Sequence, residues 1–101
     1  MIKISKELLN EAIGNISDIY NIKIVNDYLF WDNGYSNQIN IYELLYKCKC
    51  WALNKGYEIV HMADTTKVYK NRNEIYNVTN VKIYCLENFF EACEWILKEL
   101  K

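Results

Sequence analysis

The chain has no proline, a single histidine at His61 and a single arginine at Arg72. The missing proline goes with an excess of Asn, Ile, Lys and Tyr, which together make up almost half the residues. That is the bias of an AT-rich coding sequence, so the abundant Asn and Tyr side chains need not each carry a function. One histidine leaves little for a metal centre. Cys48 and Cys50 lie two apart and Cys85 and Cys93 eight apart, so no C-x-x-C zinc knuckle is present. The reading is reduced thiols, Cys48 and Cys93 acting as small apolar residues, with no metal and no cofactor. No apolar run approaches the ~20 residues that span a bilayer, so no membrane role is expected. Met1-Ile2-Lys3-Ile4-Ser5-Lys6 lacks the long apolar stretch and small-residue cleavage site of a signal peptide, and the expected location is the cytoplasm. No Gly-rich phosphate loop is present. The formal net charge of −1, from 12 basic and 13 acidic residues, argues against broad electrostatic capture of nucleic acid.

What is present is apolar and aromatic. Hydrophobic residues make up 51% of the 101 positions and aromatics 15%, which excludes disorder and suits one domain over residues 1–101 with its own core.

The pattern reads twice as short alternating strands followed by an amphipathic helix. Asn40-Ile41-Tyr42-Glu43 opens one helix and Asn88-Phe89-Phe90-Glu91 another. An Asn that accepts from the first free N–H groups, with a Glu three residues on, is the reciprocal pattern of a capping box. Ser5 caps a first helix over Lys6 to Ile13, ended by Gly14. Three strands follow, Ile19 to Val25, Tyr28 to Trp31 and Tyr35 to Ile39, turned at Asn26-Asp27 and Asn33-Gly34. The second helix runs from Ile41 to Lys55. Tyr57 to Met62, Lys67 to Lys70 and Glu74 to Val78 read as strands, with Asn71-Arg72-Asn73 as a turn. Val81 to Cys85 extends the last of them or forms another. The final helix covers Glu87 to Leu100. The fold class is α+β in the order α-βββ-α-βββ-α, antiparallel sheet with helices on one face.

Projection at about 100° per residue buries Ile41, Leu44, Leu45, Cys48, Trp51 and Ala52 and turns Cys50 to solvent. Tyr42, Tyr46 and Leu53 form a flank. Trp95 falls among Glu91, Glu94, Lys98 and Glu99, an odd place for a tryptophan unless a partner protein, a second copy of the chain or the first helix covers it. Trp95, Tyr42, Tyr46 and Cys50 are therefore the candidate partner-binding residues, since Tyr and Trp anchor protein interfaces. A second candidate is the hairpin carrying Lys67, Tyr69, Lys70, Arg72 and Tyr76, where basic residues interleave with aromatics as on a single-stranded nucleic-acid platform. His61 as general base with Asp64 and Cys50 is the third, and nothing in the spacing joins them.

The segments Ile39-Asn40-Ile41-Tyr42-Glu43-Leu44, Lys47-Cys48-Lys49-Cys50-Trp51-Ala52 and Ala92-Cys93-Glu94-Trp95-Ile96-Leu97 resemble small uncharacterised proteins of AT-rich bacterial, phage and mobile-element genomes. The resemblance covers mainly the two helices. It implies a soluble accessory protein that interferes with host machinery by binding it, as an anti-CRISPR-like inhibitor of a defence or regulatory system does. It implies no catalytic residues. The α-βββ-α order of the first half also resembles a double-stranded-RNA-binding domain. The lysine-rich helix start of that fold is replaced here by Asn40-Ile41-Tyr42-Glu43. The expected function is a non-enzymatic protein-binding module, and single-stranded nucleic-acid binding is the alternative.

Overall fold

A computed structural model describes residues 2–14, 18–79 and 86–101. Helix α1 (Lys6–Ile13) leads into β1 (Tyr20–Val25), β2 (Tyr28–Asp32), β3 (Ser36–Asn40) and helix α2 (Ile41–Asn54). Then come β4 (Glu58–His61), β5 (Thr65–Lys70), β6 (Asn73–Thr79) and helix α3 (Leu86–Glu99). The strands form two separate antiparallel sheets, β1-β2-β3 and β4-β5-β6, rather than one sheet of six. The expected strand over Val81 to Cys85 lies outside the described residues.

Local chemistry explains most boundaries. The Ser5 hydroxyl accepts from Leu8 N–H at 3.1 Å, and Gly14, at φ 94°, closes α1 by donating to the Asn10 carbonyl. At the start of α2, Asn40 Oδ1 accepts from Tyr42 N–H at 2.9 Å, while Ile41 N–H donates to the Asp27 carbonyl in the β1–β2 turn. The end of α2 is a Schellman closure: Gly56, at φ 91°, donates to Leu53 and Tyr57 donates to Ala52.

The hairpin turns follow the asparagines. Asn71 and Arg72 both adopt positive φ (54° and 68°) between the paired residues Lys70 and Asn73, the geometry of a two-residue type I′ turn. Asn33-Gly34 departs from expectation. The loop holds three residues between the paired Asp32 and Ser36, and only Gly34 takes positive φ.

Strand alternation assigns the two faces of each sheet. Leu29, Trp31 and Ile39 from the first sheet and Ile59, Thr66 and Val68 from the second are buried with the helices. Helix α2 packs on β3 and β4 and against the other two helices; α3 packs on all three strands of the second sheet. Cys48 and Cys93, both fully buried, meet where α2 and α3 touch. Trp31 and Trp51 bury their indole N–H groups without a partner among the described residues, each a cost of about 1–3 kcal/mol.

Asn88 corrects the expected cap of the last helix. Helix α3 begins two residues earlier, at Leu86, so Asn88 sits inside its first turn. It is buried, and its Nδ2 donates to the Asp64 carbonyl at 3.2 Å, tying α3 to the β4–β5 connection. Among the described residues, no helix is long and apolar enough to cross a membrane.

Candidate interaction surface

The side of α2 facing away from the core carries Tyr42, Tyr46 and Leu53, exposed by 59%, 67% and 60%. They stand at i, i+4 and i+11, so about 100° per residue brings them within some 40° of one another. The result is a continuous stripe along the helix. Its i+7 position is Lys49, half-buried, and Cys50 lies on its margin beside Tyr46. Between this side of α2 and α1 runs a groove of about 450 Å³, bordered by Glu11, Glu43, Tyr46, Lys47 and Cys50. The Cys50 side chain lies beside Tyr46 and raises the Tyr46 pKa above its ordinary value.

Tyr42 and Tyr46 are thus as exposed as the helical projection implies. Cys50 is half-buried rather than fully open. Sequence reasoning placed Leu53 in the flank without making it a site residue and passed over Lys49. The i, i+4, i+7, i+11 spacing was the signal that joins them.

Trp95 belongs elsewhere. Its indole stacks on the Tyr76 ring with centroids 4.5 Å apart and planes at 17°, and the residue is half-buried against the core. Strand β6 covers one face of the indole through Tyr76. Cys48 faces α3, and Tyr46, two residues along α2, points the other way. The structure therefore does not join Trp95 to the Tyr42–Tyr46 stripe.

The basic hairpin divides likewise. Tyr76 pairs with Val68 on the buried face of its sheet, whereas Lys67 pairs with Asn77 on the opposite face. Lys67 forms an ion pair with Glu74 at 3.3 Å, and Lys70 Nζ lies 5.1 Å from the centroid of the buried Tyr57 ring. Tyr69 is half-buried and Arg72 sits in the turn. These five side chains do not assemble into one stacking platform.

His61 is held by Thr66. Its Nδ1 lies 2.7 Å from the buried Thr66 hydroxyl and its ring meets Phe89 edge-on at 5.7 Å. Burial lowers its pKa, and the Lys49 ammonium lowers it further. The Asp64 carboxylate accepts from Thr65, and Cys50 lies beside Tyr46. The structure gives the three residues of this candidate triad different neighbours and does not bring them together. Among the described residues, no group of three or more His, Cys, Asp or Glu side chains is placed to hold a metal ion.

Comparison with protein-family models, with curated proteins and with solved structures gives no match.

Proposed function

We propose that the chain is a non-enzymatic protein-binding module and that α2 is its contact element. The observation that carries this reading is the stripe of Tyr42, Tyr46 and Leu53, each more than half exposed on one side of a helix whose other side is core. Three large apolar side chains in one row on solvent are costly to solubility. They are also the composition of an interface centre, where burying aromatic rings supplies most of the binding energy. An amphipathic helix that presents i, i+4 and i+11 anchors suits a groove on a partner. A domain of this size acts on a larger protein by covering part of its surface, so the proposed mode of action is inhibition by occupancy of a defence or regulatory protein.

The test is affinity capture from host cells with the tagged chain and with its Tyr42→Ala/Tyr46→Ala variant. A partner retained by the first and lost by a variant of unchanged melting temperature supports the reading. A partner held equally by both removes α2 from it. A salt series separates the nucleic-acid alternative, because phosphate contacts weaken steeply between about 50 and 200 mM salt whereas an apolar interface does not.

A further inference from the structure

Helices α2 and α3 each contain 14 residues and are displaced by 45 positions, Ile41 onto Leu86 and Asn54 onto Glu99. The same displacement carries β1 (Tyr20–Val25) onto β5 (Thr65–Lys70), and the first residue of β2, Tyr28, onto the first residue of β6, Asn73. It carries Asn26, at φ 57°, onto Asn71, at φ 54°. Cross-strand pairing agrees next to the turns: Val25 with Tyr28 and Ile24 with Leu29 in one hairpin, Lys70 with Asn73 and Tyr69 with Glu74 in the other. Beyond those pairs, the irregularities in register fall at different places.

The two helices also match in what they bury. Leu44 and Phe89, Cys48 and Cys93, Trp51 and Ile96, Ala52 and Leu97 are equivalent positions, and all eight side chains are buried. Cys50 and Trp95 are equivalent and both half-buried. On the outward side exposure matches at two positions and the chemistry changes, whereas exposed Tyr42 falls on half-buried Glu87 and exposed Glu43 on buried Asn88. The two matching positions are Tyr46 and Leu53 of α2, which correspond to Glu91 and Lys98 of α3, all four exposed. Helix α3 is therefore an internal control: at these positions the architecture accepts charge, and helix formation gains nothing from Tyr or Leu in their place.

Lys49 sharpens the contrast. Its equivalent, Glu94, is held within the chain, accepting from the Ser5 hydroxyl at 2.6 Å and from Ser5 N–H at 3.3 Å. Lys49 is half-buried in the middle of the aromatic stripe and has no carboxylate partner among the described residues. An ammonium with no carboxylate of its own chain among those residues, flanked along the helix by Tyr46 and Leu53, is complemented by a carboxylate brought by a partner.

We infer that the chain repeats one hairpin-and-helix unit at a spacing of 45 positions and that only the first unit's helix is a docking face, built for a protein surface with an apolar groove and a carboxylate opposite Lys49. The inference rests on the protein-binding reading of α2 and names its partner's chemistry.

Reciprocal swaps test the equivalence. Tyr42→Glu/Tyr46→Glu/Leu53→Lys gives α2 the outward residues of α3, and Glu87→Tyr/Glu91→Tyr/Lys98→Leu does the reverse. Both variants should melt within about 4 °C of the wild type. Collapse of either fold overturns the repeat. The partner chemistry is probed with a synthetic helical peptide, leucines along one side and glutamates along the edges, titrated by fluorescence anisotropy. Wild-type protein should bind it at least tenfold more tightly than Lys49→Glu or the swapped α2, and should not bind the peptide with lysine in place of glutamate. Equal binding of the two peptides, indifference to the Lys49 change, or no binding of the glutamate peptide overturns the inferred partner. A swapped α2 that folds yet retains the cellular partner overturns the protein-binding reading of this helix and leaves the repeat standing.

Discussion

Tyr76 and Trp95 stack across the join of β6 and α3, 4.5 Å between ring centroids and 17° between planes. Trp95 is thereby a packing residue on the edge of the core. Trp95→Ala should cost about 2 kcal/mol, less than a fully buried aromatic because the indole is only half covered. A double-mutant cycle with Tyr76→Ala should give a coupling of about 1 kcal/mol. Additive effects of the two changes would mean that the rings merely lie near each other.

The helical projections placed the core well because period 3.6 records burial directly. Leu44, Cys48, Trp51, Ala52, Phe89, Cys93 and Ile96 are all buried as that period requires, whereas Leu45, placed on the same face, is only half-buried. Cys48 and Cys93 show no such legibility in their meeting, which depends on how α2 and α3 cross. The partial burial of Trp95 was hidden for a related reason: its neighbours along the helix are charged, and its stacking partner Tyr76 comes from strand β6. Asn88 was misplaced because a buried Asn bonded to a distant carbonyl and a capping Asn look alike in a sequence. The division of the basic hairpin was hidden by the register irregularity between Val68 and Tyr69, which a simple alternation does not contain. Tyr42 and Tyr46 were legible, since nothing distant intervenes on an open helix face.

Thiol labelling tests the same helices. Cys48 and Cys93 are fully buried, and burial, with a hydrogen bond to Cys48, pushes the Cys93 thiol well above its ordinary pKa. Cys50 is half-exposed at the α1–α2 groove. A bulky maleimide followed by peptide mass spectrometry should modify Cys50 before either of the other two. Early modification of Cys48 in native protein would place α2 in a different rotation. Cys48→Asp should cost several kcal/mol by burying an unpaired charge.

His61 makes stability depend on pH with a defined sign. Burial first, and the Lys49 ammonium second, lower its folded pKa below the ordinary 6.5, so the folded state disfavours the proton that the unfolded chain accepts. Its contribution is present above pH 6.5 and is lost as pH falls below that value towards the folded pKa. Denaturant midpoints measured between pH 7.5 and 5 should therefore drop on the acid side more in the wild type than in His61→Gln. Equal slopes in the two proteins would show that His61 keeps its ordinary pKa in the folded state.

The Ser5–Glu94 pair ties the first helix to the last, 89 positions apart, and it is the most direct probe of how α1 is held. Ser5 both accepts from Leu8 N–H and donates to Glu94 Oε1, so the cap and the tie share one hydroxyl. The Glu94 carboxylate also stands at the positive end of α1, where a negative charge is favoured. Helix α1 has only eight residues, too few to be stable alone, and relies on the burial of Leu8 and Leu9 with this anchor. Ser5→Ala removes both bonds and should cost about 1–2 kcal/mol, whereas Glu94→Ala leaves the cap in place and should cost roughly half as much. Hydrogen exchange should report the loss locally, with faster exchange over residues 8–13 in Ser5→Ala and no change in the amides of α2. A uniform loss of protection through α2 and α3 would instead make α1 part of the cooperative core, and the two residues would then be holding the whole domain together.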